Sequence, residues 1–165
     1  MEKNQKMFNV INNFLDNDEF WKINKTVTAN NFPWFLEDES FYHHLIKPLD
    51  NDKYENSFFI SLVLNKITEK IKPKKILKAY LNLTSKTNKV NEIDKQREPI
   101  NLNNRSYVGF FFINTCNGKI EISGGNEIDT VENRLVTFPI NTAYFHSSHT
   151  DEQYKIFLKI VYTLD

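Results

Sequence analysis

A chain of 165 residues is too short for two ordinary domains and long enough for one with a sizeable core. Its 21 basic and 21 acidic residues cancel, so no net field draws it toward nucleic acid or an anionic bilayer. Arg97, Arg105 and Arg134 are its only arginines, a poor set for bidentate phosphate or base recognition, and the lone Cys116 excludes a disulfide framework and a cysteine-based zinc site.

No apolar run nears the roughly 20 residues of a bilayer span, and the polar start over 1–6 is not a signal peptide. These features predict one soluble, cytoplasmic domain over 1–165, with neither membrane nor nucleic acid as partner. The Lys- and Asn-rich, Ala-poor composition is that of an AT-rich, viral type of genome, for which the compartment is the host cytoplasm.

Residues 1–73 read as a helical N-terminal part and 74–165 as a β core. Asp16 or Asp18 can cap a helix over 19–27, in which Phe20, Ile23 and Val27 recur at steps of three and four. Pro33 in Phe32-Pro33-Trp34-Phe35 breaks it, because proline lacks a donor and biases the residue before it toward extended geometry. A second helix is predicted over 57–70, with Phe59, Leu62, Val63 and Ile67 on one side, and Pro73 ends it. From Ile76 onward the period changes to that of strands, over 76–83, 107–113, 119–122, 134–138, 143–146 and 155–162. Asn114-Thr115-Cys116-Asn117-Gly118 and Ser123-Gly124-Gly125-Asn126 are turn material between them. Helices followed by a series of short strands predict a mainly β, α+β fold: a sandwich or jelly roll with helices on one outer face.

The order of motifs resembles the small prolyl-hydroxylase-like 2-oxoglutarate/Fe(II)-dependent oxygenases found in marine phages and bacteria. Val10-Ile11-Asn12-Asn13-Phe14-Leu15 with Phe20 is similar to the family's opening segment, and Asn31-Phe32-Pro33-Trp34-Phe35 to its "FPWy" element. Phe41-Tyr42-His43-His44 followed by Ser57-Phe58 is similar to its next segment, and Lys78-Ala79-Tyr80-Leu81-Asn82-Leu83 to the strand leading to the first metal ligands. Gly109-Phe110-Phe111-Phe112-Ile113-Asn114 through Gly118 looks like its "YYlNt..G" hairpin. Glu132-Asn133-Arg134-Leu135-Val136-Thr137-Phe138 is similar to its "aNRlvlF" strand, the most specific of these matches.

The resemblance implies a cupin-like double-stranded β-helix that holds Fe(II) with a His-x-Asp pair and a distal His, and 2-oxoglutarate with a basic residue beyond. All four positions depart from that pattern: Gln96-Arg97-Glu98 fills the His-x-Asp slot, Tyr144 the distal His slot, and Lys155 the co-substrate slot. An amide oxygen is a poor donor to Fe(II). Glu98 keeps the charge but displaces it by a methylene, and a phenol of pKa about 10 is protonated at neutral pH. Lys155 keeps a positive charge without the fork of arginine. The first reading is therefore a catalytically degenerate, non-catalytic binding module, without a cofactor, in which Lys155 pairs with a small carboxylate or other anion.

Two alternatives stay open. A slip or bulge near Asn141-Thr142 brings His146 into the distal slot, since it lies two residues past Tyr144 and faces the same way. Glu98, His146 and His149 then form a shifted metal site for an active hydroxylase with Fe(II) and 2-oxoglutarate, using Lys155 or Lys159 for the co-substrate. Alternatively the sandwich is only a scaffold, for instance in a homodimer.

The blander readings are as follows. His146 and His149 are surface turn residues, and His43-His44 lie on an exposed loop or edge. Phe110-Phe111-Phe112 fills both faces of a buried strand, and Trp34 with Phe35 plugs helices onto the sheet. The lysines over 70–78 mark a solvated bend, Ser147-Ser148-His149 with Asp151 is no triad, and Gly124-Gly125 is a hairpin turn.

Overall fold

The computed structural model describes residues 8–36, 41–47, 63–90, 92–96 and 105–164, with the backbone course alone for 41–47 and 92–96. In chain order the elements are β1 (Asn9–Ile11), α1 (Asn17–Val27), β2 (Phe35–Leu36), β3 (Phe41–Lys47), α2 (Asn65–Ile71) and β4 (Lys75–Ser85). There follow β5 (Glu92–Gln96), β6 (Ser106–Phe112), β7 (Lys119–Ile122), β8 (Asn126–Asp129), β9 (Leu135–Pro139), β10 (Tyr144–Ser147) and β11 (Tyr154–Thr163).

The α1 helix forms on the expected stripe, with Phe20, Ile23 and Val27 buried. Asp16 occupies the N-cap in extended geometry, but its side chain makes no capping bond; at the other end the Thr28 hydroxyl donates to the Asn24 carbonyl at 2.7 Å. Of the helix predicted over 57–70, 57–62 lies outside the described residues, and α2 ends at Lys72 in the left-handed region (φ 52°), one residue before Pro73. Among the described residues no helix is long and apolar enough to cross a membrane.

Seven strands form one sheet in the order β1-β9-β6-β11-β4-β3-β2, and four form a second in the order β5-β10-β7-β8, with every paired neighbour antiparallel. This is the double-stranded β-helix architecture. The N-terminal part is not only helical: β1 pairs with β9 and β3 with β4, so the first 47 residues supply three strands to the large sheet. His43 and His44 thus sit within β3 rather than on a loop, His43 opposite Asn82 and His44 opposite Leu81.

Strand β11 shows how two cores arise from one alternation. Ile156, Leu158, Ile160 and Tyr162 pack with α1, α2 and Phe111 in a helix-facing core. Phe157 faces the other way, joining Phe110, Phe112, Phe138, Tyr144, Ile120 and Ile122 between the sheets. The Phe110-Phe111-Phe112 run accordingly fills both faces, as its apolar continuity requires of a strand buried on both sides. Trp34 packs against the helix-facing core, but Phe35 does not plug it: that side chain is 57% exposed.

The Asn133-Arg134 pair has a structural role. Asn133 is left-handed (φ 55°), a conformation its short side chain tolerates. Its amide accepts from the Leu15 N–H at 2.9 Å and donates to the Leu15 carbonyl at 2.8 Å, while Arg134 Nε donates to Asn12 Oδ1 at 2.7 Å. These bonds fasten the segment entering α1 to the turn before β9. Asn133→Ala leaves both Leu15 groups without partners, at an expected cost of about 2 kcal/mol. An unshifted denaturation midpoint in urea would refute that role.

Candidate functional site: the cationic interior of the barrel

The inner face of the large sheet is built by register. Lys155 lies opposite Thr84, Phe157 opposite Asn82, and Lys159 opposite Tyr80, so β4 and β11 present two mixed rows to the space between the sheets. On the far side, Phe112 lies opposite Phe157 and Phe110 opposite Lys159. Both lysines are buried, at 0% and 1% exposure.

Lys155 Nζ donates to the Ser147 carbonyl at 3.1 Å and lies 5.8 Å from the centre of the Phe157 ring. No carboxylate among the described residues pairs with it. Burial pushes its pKa down to about 8, against a smaller upward pull from the Cys116 thiol. Gly118 makes room for the head group: a Cβ there falls 3.2 Å from Nζ and 3.2 Å from the Ser148 carbonyl. Its φ is not positive, so space rather than backbone conformation requires the glycine. Lys159 Nζ lies over three rings, 5.3 Å from that of Tyr144, 5.7 Å from Tyr80 and 5.9 Å from Phe110.

Tyr144 opens β10 opposite Gln96, the last residue of β5, so two of the predicted slots are paired residues of adjacent strands. Glu98 and Arg97 lie outside the described residues, and the Gln96 side chain is likewise not described. The Tyr144 ring is packed on Phe138 at 5.0 Å and Phe110 at 5.3 Å.

Neither His146 nor His149 is a surface residue, contrary to the bland expectation: they are 2% and 0% exposed. His146 shares the inward face of Tyr144 and stands edge-on to Phe157 at 5.4 Å. Its Nδ1 has no hydrogen-bond partner, and burial, with Lys155 and Lys159 adding to it, drops its pKa to about 3. His149 lies beyond β10 in the turn to β11; burial, then Lys155, lowers its pKa, against upward pulls from Asp151 and the Glu152 and Gln153 backbone. The expected irregularity near Asn141-Thr142 instead falls on the partner strand, where two steps on β10 (Tyr144 to His146) span three on β5 (Gln96 to Ile93).

Asp151 serves the backbone: Oδ2 accepts from the Asn117 N–H and Oδ1 from the Glu152 N–H, each at 2.9 Å, so Ser147-Ser148-His149 with Asp151 is no triad. Sequence reasoning missed Asn82 and Thr84. Both are buried on the inner face, and Asn82 Oδ1 and Nδ2 and Thr84 Oγ1 have no hydrogen-bond partner among the described residues. The signal was their parity with Lys155 and Lys159 across the β4–β11 ladder, visible only once the pairing is known.

The architecture defines the fold class. The chain has the fold of the 2-oxoglutarate/Fe(II)-dependent oxygenases, the prolyl hydroxylases among them. A 2OG-Fe(II) oxygenase family oxidoreductase from Burkholderia pseudomallei superposes with a TM-score of 0.72 at 9% identity, over 96% of this chain and 85% of that one. A prolyl hydroxylase from Trichoplax adhaerens, in complex with a hypoxia inducible factor peptide fragment, gives 0.67 at 14% identity, over 97% and 84%. HygX from Streptomyces hygroscopicus, with nickel and 2-oxoglutarate bound, gives 0.65 at 7% identity, over 96% and 83%. At these identities the likeness is one of fold. No family model and no curated protein matches the sequence.

The donor set can be weighed against the iron such folds carry. Two imidazoles and a carboxylate on one face of the ion are what Fe(II) needs. Among the described residues no group of three His, Cys, Asp or Glu could hold a metal ion. The slot residues that are described offer a phenol at Tyr144 and two ammonium groups nearby, which repel a cation. The described slot residues by themselves do not supply that set.

Proposed function

We propose that the protein is a non-catalytic binding module on an oxygenase scaffold, whose barrel interior takes a small carboxylate or phosphate on Lys155. The observation that carries this reading is an ammonium group at 0% exposure with no carboxylate partner among the described residues. Such a charge is costly to bury, and an anion is the partner that repays it. The orphaned amide of Asn82 and hydroxyl of Thr84, in the same two rows, supply neutral hydrogen bonds to the ligand.

Calorimetric titration of the chelator-treated protein with 2-oxoglutarate, succinate and phosphate tests it. Binding of at least one of these without metal, lost in Lys155→Met, is the expected result. No binding of any of them, or turnover of 2-oxoglutarate to succinate with added Fe(II), overturns it.

One observation favours the second reading, an active hydroxylase with a shifted site of Glu98, His146 and His149. The inward imidazole of His146 is neutral at physiological pH and has a nitrogen lone pair to give. Iron retained through anaerobic purification, and lost in His146→Ala, would establish that reading.

A further inference from the structure

A second concavity lies on the opposite, helix-bearing face of the large sheet. The outward row of β4 and β11 runs Leu81 opposite Leu158, Leu83 opposite Ile156, then Ser85 opposite Tyr154. Val27, the last residue of α1, packs into one core with the first two rungs. The helix then stops at Thr28, and the chain turns away through a bond from the Phe32 N–H to the Ala29 carbonyl at 3.0 Å before returning as Trp34. The described residues leave the third rung uncovered, with Tyr154 40% exposed, and a cavity of about 570 Å³ remains there. That volume is within the roughly 300–1,000 Å³ of small-molecule sites.

The lining says what it would take. Val27, Leu83 and Ile156 make an apolar floor, and Trp34 and Tyr154 supply two aromatic surfaces. Among the described residues the only charged one in the lining is Lys86, and no Asp or Glu contributes. The Lys86 ammonium makes only a long 3.5 Å contact with the Asp151 carbonyl, and no carboxylate among the described residues pairs with it, so it has donors to spare. Asn30 and Ser85 complete a neutral polar rim, while the Gln153 amide is spent on the Tyr154 hydroxyl at 2.9 Å. An amine would meet the wrong charge here, and a neutral hydrocarbon would leave the cation unused.

We propose that this cavity is a second binding site, for a ring-bearing carboxylic acid whose aromatic body packs on Trp34 and Tyr154 and whose carboxylate meets Lys86. The site is independent of the barrel interior, since it lies on the other face of the sheet.

The test is nitrogen-15 NMR of the full chain, whose two tryptophans give two indole N–H signals, assigned with Trp21→Phe. The probes are biphenyl-4-carboxylate and its neutral amide. The acid is expected to shift the Trp34 signal saturably, and more tightly than the amide. Lys86→Met should weaken the acid by about five-fold, the scale of a charge-assisted hydrogen bond at an exposed site, and leave the amide unchanged. Tyr154→Ala should weaken both, and a thermal melt of that variant shows that its fold is kept. The proposal is overturned by the absence of a saturable shift up to the solubility limit, by equal binding of acid and amide in wild type, or by a response at Trp21 instead.

Discussion

Lys155→Met is expected to make the fold more stable at neutral pH, by about 2 kcal/mol, and to abolish a rise in stability on the alkaline side. The ordinary lysine value is 10.5, and burial against the Phe157 ring brings Lys155 down to about 8, opposed by a weaker pull from Cys116. The unfolded chain therefore accepts a proton that the folded protein resists. The penalty is absent above pH 10.5, grows as the pH falls, and is complete below about 8. A shift of this size corresponds to about 3 kcal/mol. Methionine removes that penalty but forfeits the bond to the Ser147 carbonyl, worth about 1 kcal/mol, which gives the smaller net gain. The Cys116 thiol, its own pKa raised by burial, acts in the opposite sense as the pH climbs; it is present in both proteins, so the difference between their urea unfolding energies is the quantity to follow from pH 7 to 10.5. A difference that stays flat across that range, or a methionine variant less stable at pH 7, would mean that Lys155 is a structural pin. A stabilised variant that has lost its anion would show stability given up for binding.

The same strand explains what could and could not be read from the sequence. Ile156, Leu158, Ile160 and Tyr162 alternate with Lys155, Phe157, Lys159 and Val161, which marks β11 as a strand without effort. Alternation alone assigns the lysines to solvent; the second sheet lies over that face and puts them inside. The counter-signal was Phe157 and Val161, apolar residues of the same parity as the two lysines. Strands with strong β-branched and aromatic content (β4, β6, β7, β9, β10) were legible for the same reason, and so were the turns at Gly118 and Gly124-Gly125. β1, β2, β3, β5 and β8 were not read as strands: three, two and four residues of β1, β2 and β8 carry too little period, and Glu92-Ile93-Asp94-Lys95-Gln96 is almost wholly polar. Their place is set by partners far along the chain, as with Asn9–Ile11 on Leu135–Thr137. Gln96 and Tyr144, placed by counting between motifs, are paired in the backbone register of β5 and β10. That counting could not tell that His146, two residues on, would be buried against Phe157 within the field of Lys155 and Lys159, because that depends on a sheet contact no local pattern encodes.

That sealed imidazole governs the acid limb of stability. His146 has an ordinary value of 6.5 and titrates at about 3 in the folded protein, because burial withholds water from the imidazolium and Lys155 and Lys159 repel it. Its folded pKa is depressed, so the stability linked to it is fully present above pH 6.5 and is lost as the pH falls toward 3. The whole shift corresponds to about 4–5 kcal/mol, a large part of the roughly 5–15 kcal/mol that holds a domain of this size together. His149 is shifted in the same direction by burial and Lys155, and it remains in the variant that isolates His146. Replacing His146 with leucine keeps an apolar body against Phe157 and removes the titrating group. Urea unfolding of wild type is expected to lose stability from pH 6.5 to 4 more steeply than His146→Leu, by about 3 kcal/mol over the interval. Parallel slopes would mean that His146 takes up its proton in the folded state at an ordinary pH. The barrel interior would then be wet, Lys155 would be hydrated rather than awaiting a ligand, and the case for an anion between the sheets would fall with it. A steep wild-type slope that flattens in part when succinate is added would point the other way, since an anion beside Lys155 offsets the lysine repulsion that adds to burial in lowering the His146 pKa.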